Sequence, residues 1–204
     1  MIAIIDYGAG NLASVARALE HLGHQCVVTA ETGVISGAER VILPGVGAAG
    51  ATMENLRRLG LEEVLREQVI AAGKPFLGIC IGIQILLERS EEDDTRCLGL
   101  IAGTVRRFHS EQANPLKVPQ IGWNQVHQVR PHPIFDGVPD QTHFYFVNSY
   151  YPVPTDPDVT IAIADYGVSF TAALARGRLV ATQFHLEKSG AAGLRLLDNF
   201  CRLV

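Results

Sequence analysis

Phe76-Leu77-Gly78-Ile79-Cys80-Ile81-Gly82-Ile83-Gln84-Ile85-Leu86-Leu87-Glu88 is the stretch on which the reading of this chain turns. Phe76 to Ile79 has the length and apolar character of a buried strand, and Ile83 to Glu88 follows as a helical-looking segment. Between them stands Gly-x-Cys-x-Gly, the pattern of a nucleophile elbow with cysteine in place of serine. A strand-to-helix turn this tight strains its central residue and crowds the neighbours, so glycine is needed two residues before and two after. Such a turn sets the thiol at a helix N-terminus, where positive potential favours thiolate, and aims the Ile81 amide at a developing oxyanion. At the glycine and cysteine content of this chain, chance supplies roughly 0.04 such patterns. The plainer alternative is a buried cysteine in a glycine-rich turn.

Upstream of the elbow, short β-branched runs alternate with amphipathic stretches, the pattern of a parallel sheet covered by helices. Ile2 to Ile5 reads as a strand; Leu12, Val15, Leu19 and Leu22 recur at helical spacing, and Gly23 stands at the C-cap. Gln25 to Val28 and Val41 to Leu43 are further strands, and Leu61, Val64, Leu65 and Val69 mark a helix ending before Gly73. Glu91-Glu92-Asp93-Asp94 is expected to be a solvated loop.

From about Leu98 the helical period disappears. Thr104 to Phe108, Gln120 to Val129, Phe144 to Tyr150, Thr160 to Ala164, Phe170 to Leu174 and Leu179 to Phe184 are expected to be antiparallel or mixed strands separated by Pro, Gly and Asp turns. Ser189 then offers an N-cap to a last helix with core face Leu194, Leu197, Cys201 and Val204. The 204 residues, 48% of them hydrophobic, suit one domain with a sizeable core.

Seventeen basic against 21 acidic side chains give a net charge of −4, which disfavours a nucleic-acid or anionic-membrane partner. No apolar run reaches transmembrane length, and Met1 to Asn11 lacks the cationic start of a signal peptide, so a soluble, cytoplasmic protein is expected. Cys26, Cys80, Cys97 and Cys201 form no C-x-x-C pair, so neither a disulfide framework nor a cysteine-rich metal site is expected.

A thiol nucleophile needs a base, and the base needs an orienting acceptor. His185-Leu186-Glu187 supplies both directly after a strand, with the two side chains pointing the same way if the backbone stays extended. The placement of these candidates at C-terminal strand ends matches where open α/β sheets put their sites. Pro44-Gly45-Val46-Gly47 follows another strand end and is the natural source of a second oxyanion donor. One rival signal, Gly8-Ala9-Gly10-Asn11-Leu12-Ala13 with Glu31 about 20 residues on, fits a dinucleotide fingerprint and would suit a noncatalytic nucleotide-binding module. Asp6 stands where that fingerprint wants an apolar residue, and a short loop with Asn11 as N-cap explains the same residues.

Cys80, His185 and Glu187 in this order, with the Pro44 to Gly47 loop, resemble the class I glutamine amidotransferases. Tyr7-Gly8-Ala9-Gly10-Asn11, Gly122-Trp123-Asn124, Tyr145-Phe146-Val147-Asn148-Ser149-Tyr150-Tyr151 and Gln183-Phe184-His185-Leu186-Glu187-Lys188-Ser189 narrow the resemblance to the glutaminase subunits of imidazole glycerol phosphate synthases, over essentially the whole chain. The resemblance implies an α/β, flavodoxin-like core: a mostly parallel central sheet flanked by helices, with antiparallel or mixed β-structure added in the second half. It implies hydrolysis of glutamine to glutamate and ammonia without a cofactor or metal, and transfer of ammonia to a (β/α)₈ cyclase partner of the histidine pathway. Cys80 would attack the carboxamide, His185 would move protons, and Glu187 would orient His185. Oxyanion donors would come from Ile81 and from Val46 or Gly47, while Gln84, Ser149 and Tyr150 would grip glutamine. Trp123, Asn124 and Lys188 would face the partner. Two residues depart from the family pattern, Leu186 where proline is usual and Asn148 where histidine is frequent. A paralogous glutaminase serving another synthase, such as one that amidates surface sugars, fits the same motifs.

Overall fold

A computed structural model describes residues 1–67, 72–110 and 116–203. The first strand, β1 (Ile2–Ile5), is followed by α1 (Leu12–His21), β2 (Cys26–Thr29), a short α2 (Thr32–Gly37), β3 (Arg40–Gly45), α3 (Ala49–Arg58), α4 (Leu61–Leu65) and β4 (Phe76–Cys80). One helical turn, α5 (Ile81–Gln84), leaves β4, and then come β5 (Arg89–Ser90), β6 (Thr95–Arg96), β7 (Gly103–Arg107), β8 (Gln120–Gln128), β9 (Thr142–Asn148) and β10 (Tyr150–Pro154). The chain closes with β11 (Thr160–Asp165), β12 (Ser169–Arg176), β13 (Leu179–Thr182) and α6 (Gly190–Arg202).

Among the described residues, nine strands form a sheet in the order β2-β1-β3-β4-β13-β12-β11-β8-β9. The pairs from β2 to β13 are parallel, and those from β13 outward to β9 are antiparallel. The parallel half therefore has the flavodoxin-like order, with β13 as its fifth strand. A second sheet, β10-β7-β5-β6, mixes antiparallel and parallel pairs. No helix of the described residues is long and apolar enough to cross a membrane.

Alternation along β1 sorts the core. Ile2 and Ile4 face a cluster with Val15 and Leu19 of α1 and Leu196, Leu197 and Phe200 of α6, whereas Ala3 and Ile5 face Met53 and Leu56 of α3 and Leu61 and Val64 of α4. Helices thus cover both faces of the parallel half, which is why β1 and β4 are buried and apolar along their whole length, whereas the edge strand β2 is only partly buried. Gly23, at φ 80°, ends α1 with two backbone bonds, His24 N–H to Leu19 O and Gly23 N–H to Glu20 O. Asn11 and Ser189 both occupy N-cap positions, yet neither side chain caps its helix. The Asn11 carboxamide oxygen instead accepts the Ser14 hydroxyl, and Ser189 is drawn into the site described below.

Two helices, α2 and α3, arise where sequence periodicity marks none, and β5, β6 and β10 are further strands beyond those expected. The elbow helix is one turn, not the segment from Ile83 to Glu88, because the chain turns at Ile85 into the second sheet. Val69 and Val204, assigned to helix faces from sequence, lie outside the described residues.

Phe184 is fully buried, with ring centroids 4.3 Å from Phe144 and 5.6 Å from Phe146. It packs the antiparallel half against the segment that carries His185. Truncation of Phe184 to alanine is expected to cost about 3–5 kcal/mol in urea unfolding; a loss under about 1 kcal/mol would show that this aromatic cluster does not hold the layers together.

Candidate active site

The site is built at the C-terminal ends of three adjacent parallel strands. Gly45 of β3 lies opposite Cys80 of β4, and Thr182 of β13 lies opposite Ile79. The register alone brings the Pro44 to Gly47 loop, Cys80 and the residues after Thr182 to one crevice. Cys80 has φ 57° and ψ −105°, a conformation that L-residues rarely adopt. Its flanks show why glycine is required: a Cβ on Gly78 would lie 2.8 Å from the Gly82 carbonyl oxygen, and one on Gly82 would run into the Leu43 carbonyl. With α5 only four residues long, the helix dipole expected from sequence is a weak influence on the thiol. Cys80 Sγ lies 3.8 Å from the Val147 carbonyl oxygen and 3.7 Å from Gln183 Nε2.

His185 and Glu187 are each 2% exposed, and His185 Nδ1 lies 2.8 Å from Glu187 Oε1. The backbone between them is not extended as expected, because Leu186–Lys188 form a 3₁₀ turn. That turn carries Glu187 round to the imidazole. Leu186 opens it, the position where proline is tolerated, and its own side chain is buried in the core beside α6. The triad-like geometry is therefore reached without proline. His185 is fixed at both ends of its backbone: its N–H donates to Tyr145 O at 2.9 Å, and its carbonyl accepts the Ser189 hydroxyl at 2.5 Å. Ser189 Oγ also accepts Tyr145 N–H at 3.0 Å, so the serine ties β9 to the His185 turn.

Burial pulls the His185 imidazole toward its neutral form. The Cys80 sulfur and the Glu187 carboxylate outweigh that effect and push its pKa up from 6.5 to about 10. With Nδ1 held by Glu187, the nitrogen that Cys80 acts on is Nε2, which has no hydrogen-bond partner of ordinary geometry. The surroundings thus favour the cationic imidazole, with Nδ1 committed to Glu187 and Nε2 left without a hydrogen-bond partner among the described residues.

In front of Cys80 lies a cavity of about 240 Å³ lined by Val46, Gly47, Ile81, Gln84, Ser149 and Tyr150, together with Glu92, Pro119, Val147 and Asn148. Every residue assigned from sequence to oxyanion stabilisation or substrate contact reaches this wall. Gln84 Nε2 donates to Tyr150 O at 3.1 Å, and Asn148 Nδ2 donates to the same carbonyl at 3.0 Å. The residue that replaces the frequent histidine therefore braces the Tyr150 backbone.

Glu92 was not legible as part of a site. The acidic run is not a free loop: Glu92 Oε2 accepts Ala49 N–H at 2.7 Å, Glu91 accepts Arg107 N–H at 2.8 Å, and Asp94 pairs with Arg89. Only the half-buried Glu92 reaches the cavity. The signal available in sequence was that an acidic run lay shortly after the elbow.

The remaining candidates separate. Trp123 is 56% exposed, stacks edge-on to Tyr145 at 6.0 Å, and Lys188 Nζ stands 5.8 Å above the same Tyr145 ring. Asn124, on the other face of β8, donates to Asp165 O and accepts Gln125 N–H, so its amide is engaged within the fold. The Gly8 to Asn11 loop packs against the β3 end, where a Cβ on Gly10 would lie 3.2 Å from Gly45 Cα. That contact accounts for its glycine without a nucleotide.

A raised folded-state histidine pKa means that the pair stabilises the protonated form. Its contribution to stability is complete below about 6.5 and is lost as pH rises through about 10. In Glu187→Gln the histidine titration followed by NMR is expected to move down from about 10 toward its ordinary range. An unmoved titration would show that the carboxylate does not hold the proton on His185.

The family profile described as "Glutamine amidotransferase class-I" matches residues 3–204. Among curated relatives, an "Imidazole glycerol phosphate synthase subunit HisH" from Nitratidesulfovibrio vulgaris (strain DP4) is 52% identical, over 99% of this chain and 96% of its own. A protein of the same name from Methylococcus capsulatus is 52% identical over 98% and 95%. In fold, a solved structure described as "Crystal structure of glutamine amidotransferase" aligns with a TM-score of 0.73 at 19% identity, covering 98% of this chain and 97% of that one. PurLQS from Thermotoga maritima aligns at 0.71 and 18% identity, over 98% and 96%. By profile and by full-length identity, the chain belongs to the class I glutamine amidotransferase family.

Proposed function

We propose that this chain hydrolyses L-glutamine to glutamate and ammonia at Cys80 and delivers the ammonia to a cyclase subunit that makes imidazole glycerol phosphate in histidine biosynthesis. The observation that carries this reading is the convergence of a cysteine in an elbow with a buried His185–Glu187 pair at one small cavity. The names of the full-length relatives at about 50% identity supply the pathway and the expectation of a partner. Four unpaired cysteines suit the cytoplasm.

The steps balance on residues of this chain. Cys80 Sγ bonds to the carboxamide carbon, and the carbonyl oxygen becomes an oxyanion facing the amides of Ile81 and of the Val46–Gly47 segment. His185 Nε2 gives its proton to the nitrogen, the C–N bond breaks and ammonia departs. The neutral imidazole then takes a proton from water as that water attacks the thioester; the C–S bond breaks, and glutamate and thiolate result. Glu187 keeps Nδ1 protonated throughout and stabilises the cationic state.

The cavity is the size of one small amino acid, and its polar groups divide between the two ends of glutamine. Gln84, Ser149 and Tyr150 grip the substrate, and the Glu92 carboxylate receives its α-ammonium. The partner docks over the surface carrying Trp123 and Lys188, which meet on the Tyr145 ring, while Asn124 lies on the opposite face of β8. Through Tyr145 this surface is one hydrogen bond away from the His185 backbone.

Glutamate release measured for the purified chain, alone and with the cyclase and its nucleotide substrate, is expected to rise with the partner and to vanish in Cys80→Ala. Release that survives Cys80→Ala would overturn the reading. Glu92→Gln is expected to raise KM for glutamine about tenfold or more while kcat changes little, as loss of a charge-assisted hydrogen bond to the substrate requires. An unchanged KM would remove Glu92 from the substrate site.

A further inference from the structure

Gln183 is fully buried one residue beyond β13, where its backbone N–H donates to Ala172 O at 2.8 Å. Its side chain touches two groups of the site. Oε1 accepts Gln84 Nε2 at 3.0 Å, and Nε2 lies 3.7 Å from Cys80 Sγ. Which end of a carboxamide faces which neighbour is decided by the network around it, and here the network has one solution. The Tyr150 carbonyl can only accept, so Gln84 must present its NH₂ group there, 3.1 Å away. The same NH₂ group faces Gln183, which must therefore present its oxygen to Gln84 and its own NH₂ to the sulfur.

We propose that Gln183 is a positioning residue for the nucleophile: its side-chain N–H donates to Cys80 Sγ, favours the thiolate over the thiol, and holds its polarity through Gln84 and the Tyr150 carbonyl. The other neighbour of the sulfur on this side, the Val147 carbonyl at 3.8 Å, can only accept and so favours the thiol. The amide is the neutral donor that opposes it. A hydrogen bond to a charged acceptor is stronger than one to a neutral acceptor, so the donor acts mainly on the ionised state. It also persists when the His185 proton has left with ammonia, the stage at which sulfur must again depart as thiolate. Because Gln84 both lines the substrate cavity and fixes the Gln183 amide, the substrate wall and the charge state of the nucleophile share one hydrogen-bond chain.

The inference rests on Cys80 as nucleophile, and its test reads the thiol directly, so Gln183 can fail while Cys80-dependent hydrolysis stands. In the full chain, the rate of iodoacetamide alkylation at Cys80 is followed against pH by peptide mass, for wild type, Gln183→Met and Gln183→Glu. Methionine keeps the reach without a donor; glutamate keeps the acceptor for Gln84 and replaces the donor with an acidic oxygen. At neutral pH the methionine variant is expected to react about tenfold more slowly, and the glutamate variant more slowly still, with both deficits closing at high pH. Equal rates, or a deficit that is the same at every pH, would overturn the proposal, because a packing role alone slows reaction without regard to ionisation. A readout on the wild type needs no variant: the Gln183 side-chain amide protons should shift in NMR spectra as the thiol ionises, and amide signals that stay still through that range would equally overturn it.

Discussion

The left-handed backbone at Cys80 is the constraint on which the rest of the site depends. A positive φ on a cysteine costs about 1–3 kcal/mol and persists only where the surroundings leave no other path. Here β4 lies between β3 and β13 in a parallel register, Gly78 and Gly82 remove the two Cβ atoms that would collide, and α5 turns away within one residue. The consequence is a buried cysteine at the end of β4 that lines the cavity, with the amide of Ile81 next along the chain.

Everything else in the site is held relative to that sulfur by hydrogen bonds that fix the backbone, several of them made by buried side chains. His185 is positioned by Tyr145 and Ser189, Glu187 by the 3₁₀ turn, and Tyr150 by Gln84 and Asn148. Anchors of this kind hold side chains in fixed geometry, which is what a preorganised site requires. They also join the second, antiparallel half of the sheet to the parallel core. Tyr145 on the edge strand β9 holds the histidine, and Phe184 seals the space behind it.

Much of this architecture was legible because its physical signals are local. The strands of the parallel half announce themselves as short apolar runs, and Gly78, Cys80 and Gly82 declare a turn whose sterics admit few other residues. The helix α3 escaped because its buried face, Ala49, Thr52, Met53 and Leu56, is built from small and polar residues as much as large apolar ones. Strand β10 escaped because Pro152 and Pro154 read as breakers, although at a sheet edge each leaves an N–H position that needs no partner. Glu92 and Gln183 were invisible for a different reason. Each gains its role from a neighbour more than ten residues distant, Ala49 for the one and Cys80 and Gln84 for the other, and no periodicity encodes such a meeting. Leu186 shows the converse: the backbone turn it opens is set by surrounding hydrogen bonds, so a missing proline leaves the pairing of His185 with Glu187 intact.

The central claim is that one of four cysteines is a nucleophile for a glutamine side chain, and labelling with 6-diazo-5-oxonorleucine tests it most directly. This analogue carries an electrophilic carbon in place of the carboxamide nitrogen. Incubated with the chain in the presence of the proposed cyclase partner and analysed by peptide mass spectrometry, it should give one adduct per chain, on Cys80, competed away by glutamine. An adduct on Cys26, Cys97 or Cys201 instead, or none at any cysteine, would contradict the account.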